Sequence, residues 1–221
     1  MKRLRVVAQI VLAALFMVGC GSAWPWHYHY SDAFIAVYYC GDLKLDPNNP
    51  NFIGFDWFAG DEYAYDSKGE NKERYKELCV KHNDTNYDRR EIKPEDAGGI
   101  RGDARYRRVF GHDFVEIDVI SDRDFDDAHP AGTSLGDVVK YGGKSYWEYV
   151  KRGYTGNPVS ELDGYINNIP EDGLCLLKSF WLNFPEVSVE ASGTHNLQIL
   201  FVVDDGTELV FNLTMYLEPS N

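Results

Sequence analysis

The residues Asn196-Leu197-Gln198-Ile199-Leu200-Phe201-Val202-Val203, Asp204-Asp205-Gly206-Thr207 and Glu208-Leu209-Val210-Phe211-Asn212-Leu213-Thr214-Met215-Tyr216-Leu217 decide the fold. Two runs rich in β-branched and large apolar residues flank a four-residue turn. Gly206 supplies the positive φ that so tight a reversal needs. The stretch therefore predicts a β-hairpin. Working back toward the N-terminus, residues 176–184 and 186–191 are two more β-rich runs, set apart by Pro185 and by Ser192-Gly193. Upstream again, Val115, Ile117 and Val119 alternate with Glu116 and Asp118, the period-two pattern of a strand with one dry face. Residues 33–39 read as a largely buried first strand. Short strands at this spacing predict a mainly β protein built as a sandwich.

Between the strands the pattern predicts two or three short helices. One covers residues 73–80, closed by Asn83-Asp84; one is capped by Thr133 or Ser134 and runs through 139; one covers 144–152 and ends at Gly153. The stretch 41–104 is the least regular part, with Pro, Asn, Gly and Asp recurring around Phe52, Phe55, Trp57 and Phe58. It is expected to be an insertion carrying short elements, because a structureless loop of that length is uncommon in a compact domain.

The chain has 221 residues, 44% hydrophobic and 26% charged, which is too apolar for a disordered chain. With 22 basic and 35 acidic residues its net charge is −13. Such a surface repels nucleic-acid phosphates and anionic lipid head groups, so neither is an expected partner.

The first residues explain where such a chain goes. Lys2, Arg3 and Arg5 precede an apolar run from Val6 to Val18, too short to span a bilayer as a helix and of the length of a secretory leader. The run ends in Met17-Val18-Gly19-Cys20, which resembles the bacterial lipoprotein signal, a small residue ahead of a Cys that receives diacylglycerol. The alternative is an ordinary leader cut after Gly21-Ser22-Ala23. On the first reading residues 1–19 are the signal peptide, 20–31 the lipid anchor and a short tether, and 32–221 one sandwich domain. Acyl chains on Cys20 then make the membrane a partner, and two or more chains hold a protein there. Gly21-Ser22 lacks the Asp that retains some lipoproteins at the inner membrane, so the outer membrane is the expected location. Loss of the three basic residues of the leader would leave 19 basic against 35 acidic, a net charge of −16. Trp24, Trp26, Tyr28 and Tyr30 suit a membrane interface or the first edge of the domain equally. His27 and His29 could share one side of a strand, though two ligands alone do not make a metal site.

Export also sets the redox context, since disulfides persist outside the cytoplasm. With Cys20 acylated, Cys40, Cys79 and Cys175 remain, and at most one pair can form. Cys40–Cys79 is the expected bridge, because both flank the polar stretch between them. Cys175 lies in Leu174-Cys175-Leu176-Leu177 and is expected to be a buried thiol.

Asp122, Asp124, Asp126 and Asp127 form the densest carboxylate cluster and are a candidate calcium site, with an exposed, solvated loop as the alternative. No other cofactor has a motif: H-E-x-x-H, Walker A and G-x-G-x-x-G are all missing. Gly132-Thr133-Ser134-Leu135-Gly136 matches the hydrolase elbow G-x-S-x-G. The charged residues and Pro130 ahead of it cannot be the buried strand that motif requires, so Ser134 reads better as a helix cap. Arg101-Gly102-Asp103 is a chance tripeptide in a turn. Asn83 and Asn212 head glycosylation sequons that matter only on a eukaryotic route. Among the tryptophans, Trp181 within a strand is expected in the core, while Trp57 and Trp147 are candidate ligand-binding groups for a glycan or a protein partner.

Three stretches together resemble the uncharacterised, lipid-anchored sandwich proteins of Bacteroidetes, a domain-of-unknown-function group. They are the lipoprotein start, the segment from Val119-Ile120-Ser121 to Asp127-Ala128-His129-Pro130-Ala131-Gly132-Thr133-Ser134-Leu135, and Gly193-Thr194-His195-Asn196 leading into the terminal hairpin. The resemblance implies an immunoglobulin-like β-sandwich in the cell envelope. The expected function is a lipid-anchored envelope protein that acts as a non-enzymatic binding or structural module. The alternative is a secreted glycoside-type hydrolase in which Asp113 or Glu116 works with Asp118, since paired carboxylates suffice for that chemistry.

Overall fold

The computed structural model describes residues 32–40, 44–56, 61–64, 67–87 and 107–220, and residues 31–221 hold together as one unit. In chain order the elements are β1 (Val37–Tyr39), β2 (Lys44–Asn49), β3 (Phe52–Asp56), β4 (Glu62–Ala64), α1 (Glu70–Lys81), β5 (Arg108–Phe110) and β6 (Phe114–Ser121). There follow β7 (Lys140–Ser145), α2 (Trp147–Lys151), β8 (Ser160–Tyr165), β9 (Leu177–Asn183), β10 (Gly193–Val203) and β11 (Glu208–Leu217). The protein is mainly β.

The terminal hairpin closes as its sequence dictates. Val203 N donates to Thr207 O at 3.0 Å and Gly206 N to Val203 O at 2.8 Å, with Gly206 at φ 83°. β10 pairs along its whole length with β11 and on its other side with β6, giving the antiparallel order β11-β10-β6. A second antiparallel sheet has the order β2-β3-β9-β7-β8. The inward rows of both sheets, including Ile117, Val119, Ile199 and Phe201 from one and Ile53, Tyr141, Phe180 and Leu182 from the other, form one buried cluster. Phe201 touches Phe55 at 5.2 Å and Phe114 at 4.8 Å between ring centroids, so the sheets pack face to face as a sandwich.

A third, small sheet, β4-β1-β5, carries α1. Glu70 and Glu73 lie in the first turn of α1 and Lys81 in its last, each favourable to the helix dipole. Tyr75, Leu78 and Cys79, spaced i, i+3 and i+4, make its buried stripe.

Four sequence expectations are corrected. The helix expected over 73–80 is longer, starting at Glu70 after Gly69 at φ 62°. Residues 133–139 are not a helix: Leu135 N donates to Val119 O at 2.8 Å and Ser134 bridges Ile120, so this segment runs along the edge of β6. Residues 186–191 are not a strand, because Ser188 takes the Ala191 amide on its hydroxyl and the Ser192 amide on its carbonyl, turning the chain. The first part of 144–152 belongs to β7, and the helix is confined to Trp147–Lys151. Gly143 is needed in β7 because a Cβ there would lie 2.3 Å from the Ser179 carbonyl oxygen.

Candidate functional site

The acidic loop after β6 and the start of β10 are brought together. Ser121 Oγ lies 2.7 Å from His195 Nδ1, and His195 Nε2 lies 2.7 Å from Ala191 O. A carbonyl only accepts, so Nε2 carries the proton and Nδ1 takes the Ser121 hydroxyl hydrogen. Burial pushes the His195 pKa down, consistent with a neutral ring. With Ser121 at 2% exposure and His195 at 0%, no acyl substrate reaches this Ser–His pair; it pins β6 to β10.

Asp124 and Asp126 are engaged within the loop, and Asp122 is engaged by β10. Asp122 accepts from Asn196 N at 2.9 Å and from its side-chain amide at 2.6 Å, and Asp124 accepts from Ala131 N at 2.7 Å. Asp126 accepts from Ala128 N and His129 N. His129 Nδ1 lies 2.7 Å from Asp126 and Nε2 2.8 Å from Asp137. Partial burial alone would lower the His129 pKa, but the two carboxylates outweigh it and raise it, so the ring serves as the loop's own cation. Asp127 is exposed. Among the described residues no three His, Cys, Asp or Glu side chains gather as a metal set.

Of the carboxylates expected of a hydrolase, Glu116 and Asp118 share one face of β6, whereas Asp113 is buried. Glu116 is exposed on the outer face of β6, and on the same face Asp118 accepts the Ser134 hydroxyl at 2.5 Å. Asp113 is buried, with His82 Nε2 at 3.0 Å and Lys81 Nζ at 2.9 Å, and Lys81 also reaches Asp204 at 2.8 Å. Burial would raise the Asp113 pKa, but His82 and Lys81 together hold it below the ordinary range. That is the reverse of what a general acid requires. His82 Nδ1 is spent on Leu78 O at 2.9 Å.

The bridge expected between Cys40 and Cys79 is not formed. Cys79 is buried on α1, its thiol pushed up to about 12 by burial, and faces the hydroxyls of Tyr75 and Tyr38. Cys40 packs beside Gly111, where a Cβ would lie 2.4 Å from its sulfur, and burial pushes its thiol up to about 11. Cys175 is buried and free as expected, donating to Asp172 O at 3.0 Å, and burial pushes its thiol up further still. At all three cysteines burial disfavours the reactive thiolate.

Trp147 and Trp181 are both partly buried, and Trp181 does not lie where the sequence places it. Trp147 is half-buried against the tyrosine cluster beside α1, its indole N–H toward Asp172 at 3.4 Å and its ring edge-on to His82. Trp181 is not in the core: Phe180 and Leu182 face inward, and Trp181 faces the outer side of the five-stranded sheet. Its register neighbours there are Gly54 on one side and Gly142 on the other, with Asp163 beyond Gly142. The indole lies down over Gly142, where a Cβ would meet Nε1 at 2.4 Å. Phe52 is stacked beside it at 6.0 Å, and Tyr165, 39% exposed, stands further along the same face beneath Lys140. Lys140 pairs with Asp163 at 3.7 Å and Lys144 with Glu161 at 3.3 Å, so the polar rim is rich in donors and acceptors but its charges are balanced. A strand position alone did not disclose this; the signal in the sequence was the glycine at the matching position of a neighbouring strand.

Cys20, His27, His29, Trp57 and Arg101-Gly102-Asp103 lie outside the described residues. Among the described residues no helix is long and apolar enough to cross a membrane. Compared with protein-family models, curated proteins and solved structures, the chain matches none.

Proposed function

We propose that the chain is a non-enzymatic module of the cell envelope, anchored through lipid on Cys20, whose five-stranded sheet binds a neutral carbohydrate on its outer face. The observation that carries the ligand class is Trp181 on the outer face, its indole lying over Gly142 and Gly54 at the register position on its other side. A flat indole beside glycines offers a rigid apolar plane at little entropic cost, which suits the C–H face of a sugar ring. Asn183, Lys140, Asp163 and Glu161 on neighbouring register positions suit its hydroxyls, and the paired charges favour an uncharged ligand. The enzyme-like groups support the same reading from the other side: Ser121–His195 and His82–Asp113 are buried and fully engaged with their own neighbours. The envelope address rests on the leader and the Cys20 signal.

Calorimetric titration of the intact chain with a panel of neutral polysaccharides tests the ligand. Binding by at least one, weakened at least about tenfold by Trp181→Ala and not by Trp147→Ala, is expected. Binding indifferent to Trp181→Ala, or none across the panel, would remove the reading. Labelled palmitate entering the wild type but not Cys20→Ser tests the anchor separately.

A further inference from the structure

We infer that the free edge of β11 pairs with the β11 of a second copy, antiparallel about a two-fold axis, making one continuous sheet across a dimer. The other sheet edges are each closed. On β6, Gly132 N donates to Ser121 O and Leu135 N to Val119 O, both at 2.8 Å, while Phe114 and Leu174 exchange backbone bonds at the other end. β2 carries Lys44, Asp46 and Pro47, and β8 carries Glu161 and Asp163. β4 and β5 have three residues each. These are the usual protections of a sheet edge: a covering segment, charge, proline, shortness.

Among the described residues β11 has none of them. It is ten residues long, unbroken by Pro, and its one charged residue is Glu208 at its start. The turn pair Val203–Thr207 sets the alternation of the ladder, so the odd-numbered residues of β11 bond to β10. The N–H and C=O of Val210, Asn212, Thr214 and Tyr216 therefore point away from it. Among the described residues nothing pairs with these groups. The side chains of Leu209, Phe211 and Leu213 on the inner face are only partly buried, and Val210 and Tyr216 on the outer face are 50% and 56% exposed.

A second copy fits this edge better than an unlike partner. A chain of net charge −13 repels itself over most of its surface, and the strip from Leu209 to Leu217 is an uncharged one. A register centred on Asn212 uses the whole strand and sets Val210 against Thr214 and Glu208 against Tyr216. The next register along would set Glu208 against Glu218. In the favoured register Phe211 meets Leu213 of the second copy and Leu209 meets Met215, which closes the half-open side of the core. An edge about 34 Å long, on a body about 20 Å deep, offers on the order of 700 Å² per copy, close to the ~800 Å² of a standard interface.

Sedimentation of the intact chain in detergent, from about 1 to 100 µM protein, is expected to show a dimer. Val210→Lys with Thr214→Lys places like charges opposite each other and should weaken it at least about tenfold, while Val210→Glu with Thr214→Lys restores attraction and the dimer. All four side-chain positions are on the outer edge row, so the charge-matched pair controls for folding. Amide exchange of Asn212 and Thr214 should slow only at concentrations where the dimer forms. A monomer throughout, a dimer indifferent to the Lys–Lys pair, or exchange protection that ignores concentration would each overturn the inference.

Discussion

The two larger buried clusters among the described residues differ in chemistry. The sandwich core is built from Phe, Ile, Leu and Val on alternating strand positions, with Phe55, Phe114, Phe180 and Phe201 in mutual ring contact. The flank beside α1 is built from Tyr38, Tyr75, Tyr87, Tyr146, Tyr149 and Tyr154 around Phe34, with Arg107 over the rings of Phe34 and Tyr87. It buries Asp84, His82 and Asp113 as well. The first core is held by area and shape, which are non-directional. The second is held by hydrogen bonds that must each be met. Asp84, fully buried, accepts from Phe34 N at 2.6 Å, Ile35 N at 2.8 Å and Tyr154 Oη at 2.9 Å. The difference is that the sandwich should degrade gradually under substitution, and the flank by specific groups.

The largest expected effect is in the sandwich. Phe201→Ala removes a fully buried ring and should cost about 3–5 kcal/mol in urea unfolding. Ile199→Val, one methylene in the same row, should cost only about 1 kcal/mol. In the flank, Asp84→Ala strands two buried backbone donors and a part-buried tyrosine hydroxyl and should cost about 3 kcal/mol, although it deletes few apolar contacts. A loss under about 1 kcal/mol would show that water reaches those donors, and the two regions would then differ only in composition.

Tyrosine hydroxyls separate the cases more finely. The Tyr75 hydroxyl donates to Ile35 O at 2.8 Å, so Tyr75→Phe should lose about 1 kcal/mol. Among the described residues the buried Tyr38 hydroxyl has no oxygen or nitrogen partner, only the weakly accepting Cys79 sulfur before it. Burial of that group costs stability, and Tyr38→Phe should leave stability unchanged or raised, by up to about 1 kcal/mol. A clear loss for both variants would mean that Tyr38 has a partner that the geometry does not give it.

This contrast also decides what was legible beforehand. The hairpin and β6 were readable because period-two apolar residues and Asp205-Gly206 are local signals. β7 and β8 were not. Lys140-Tyr141-Gly142-Gly143-Lys144-Ser145 has no alternation, because its glycines exist to let Trp181 and the β9 backbone approach, a requirement set by a distant strand. The flank was opaque for the same reason: Asp84 is bound by residues 49 to 70 positions away. At the candidate ligand face, Trp181 was visible as a residue but not as a surface one, since the pleat decides its side only once the register with Gly54 and Gly142 is known. The Asp cluster was legible as a cluster, and the pairing of His129 with Asp126 required the turn that folds the ring back over Asp126 and toward Asp137.

The smallest effect is a slope with pH, and here the two buried carboxyls of the flank oppose each other. Burial raises the Asp84 pKa despite its three hydrogen bonds, so the folded state holds a proton that the unfolded chain, titrating near about 3.9, releases. Asp84 therefore adds stability as pH falls toward 4, and that contribution is lost as pH rises through its folded value. Asp113 is lowered by His82 and Lys81 against its burial, so its contribution is present above about pH 4 and lost as pH falls through its folded value. Unfolding measured from pH 7 down to 3 should then give variants with opposite trends. The deficit of Asp84→Asn relative to wild type grows as pH falls toward 4, whereas that of Asp113→Asn is largest near neutrality and shrinks below 4. Ile199→Val, between Val119 and Phe211 in the ladder, should keep a constant deficit across the range. If all three deficits ran parallel, the buried carboxyls would be titrating as they do in the unfolded chain, and the flank would be held by its rings alone.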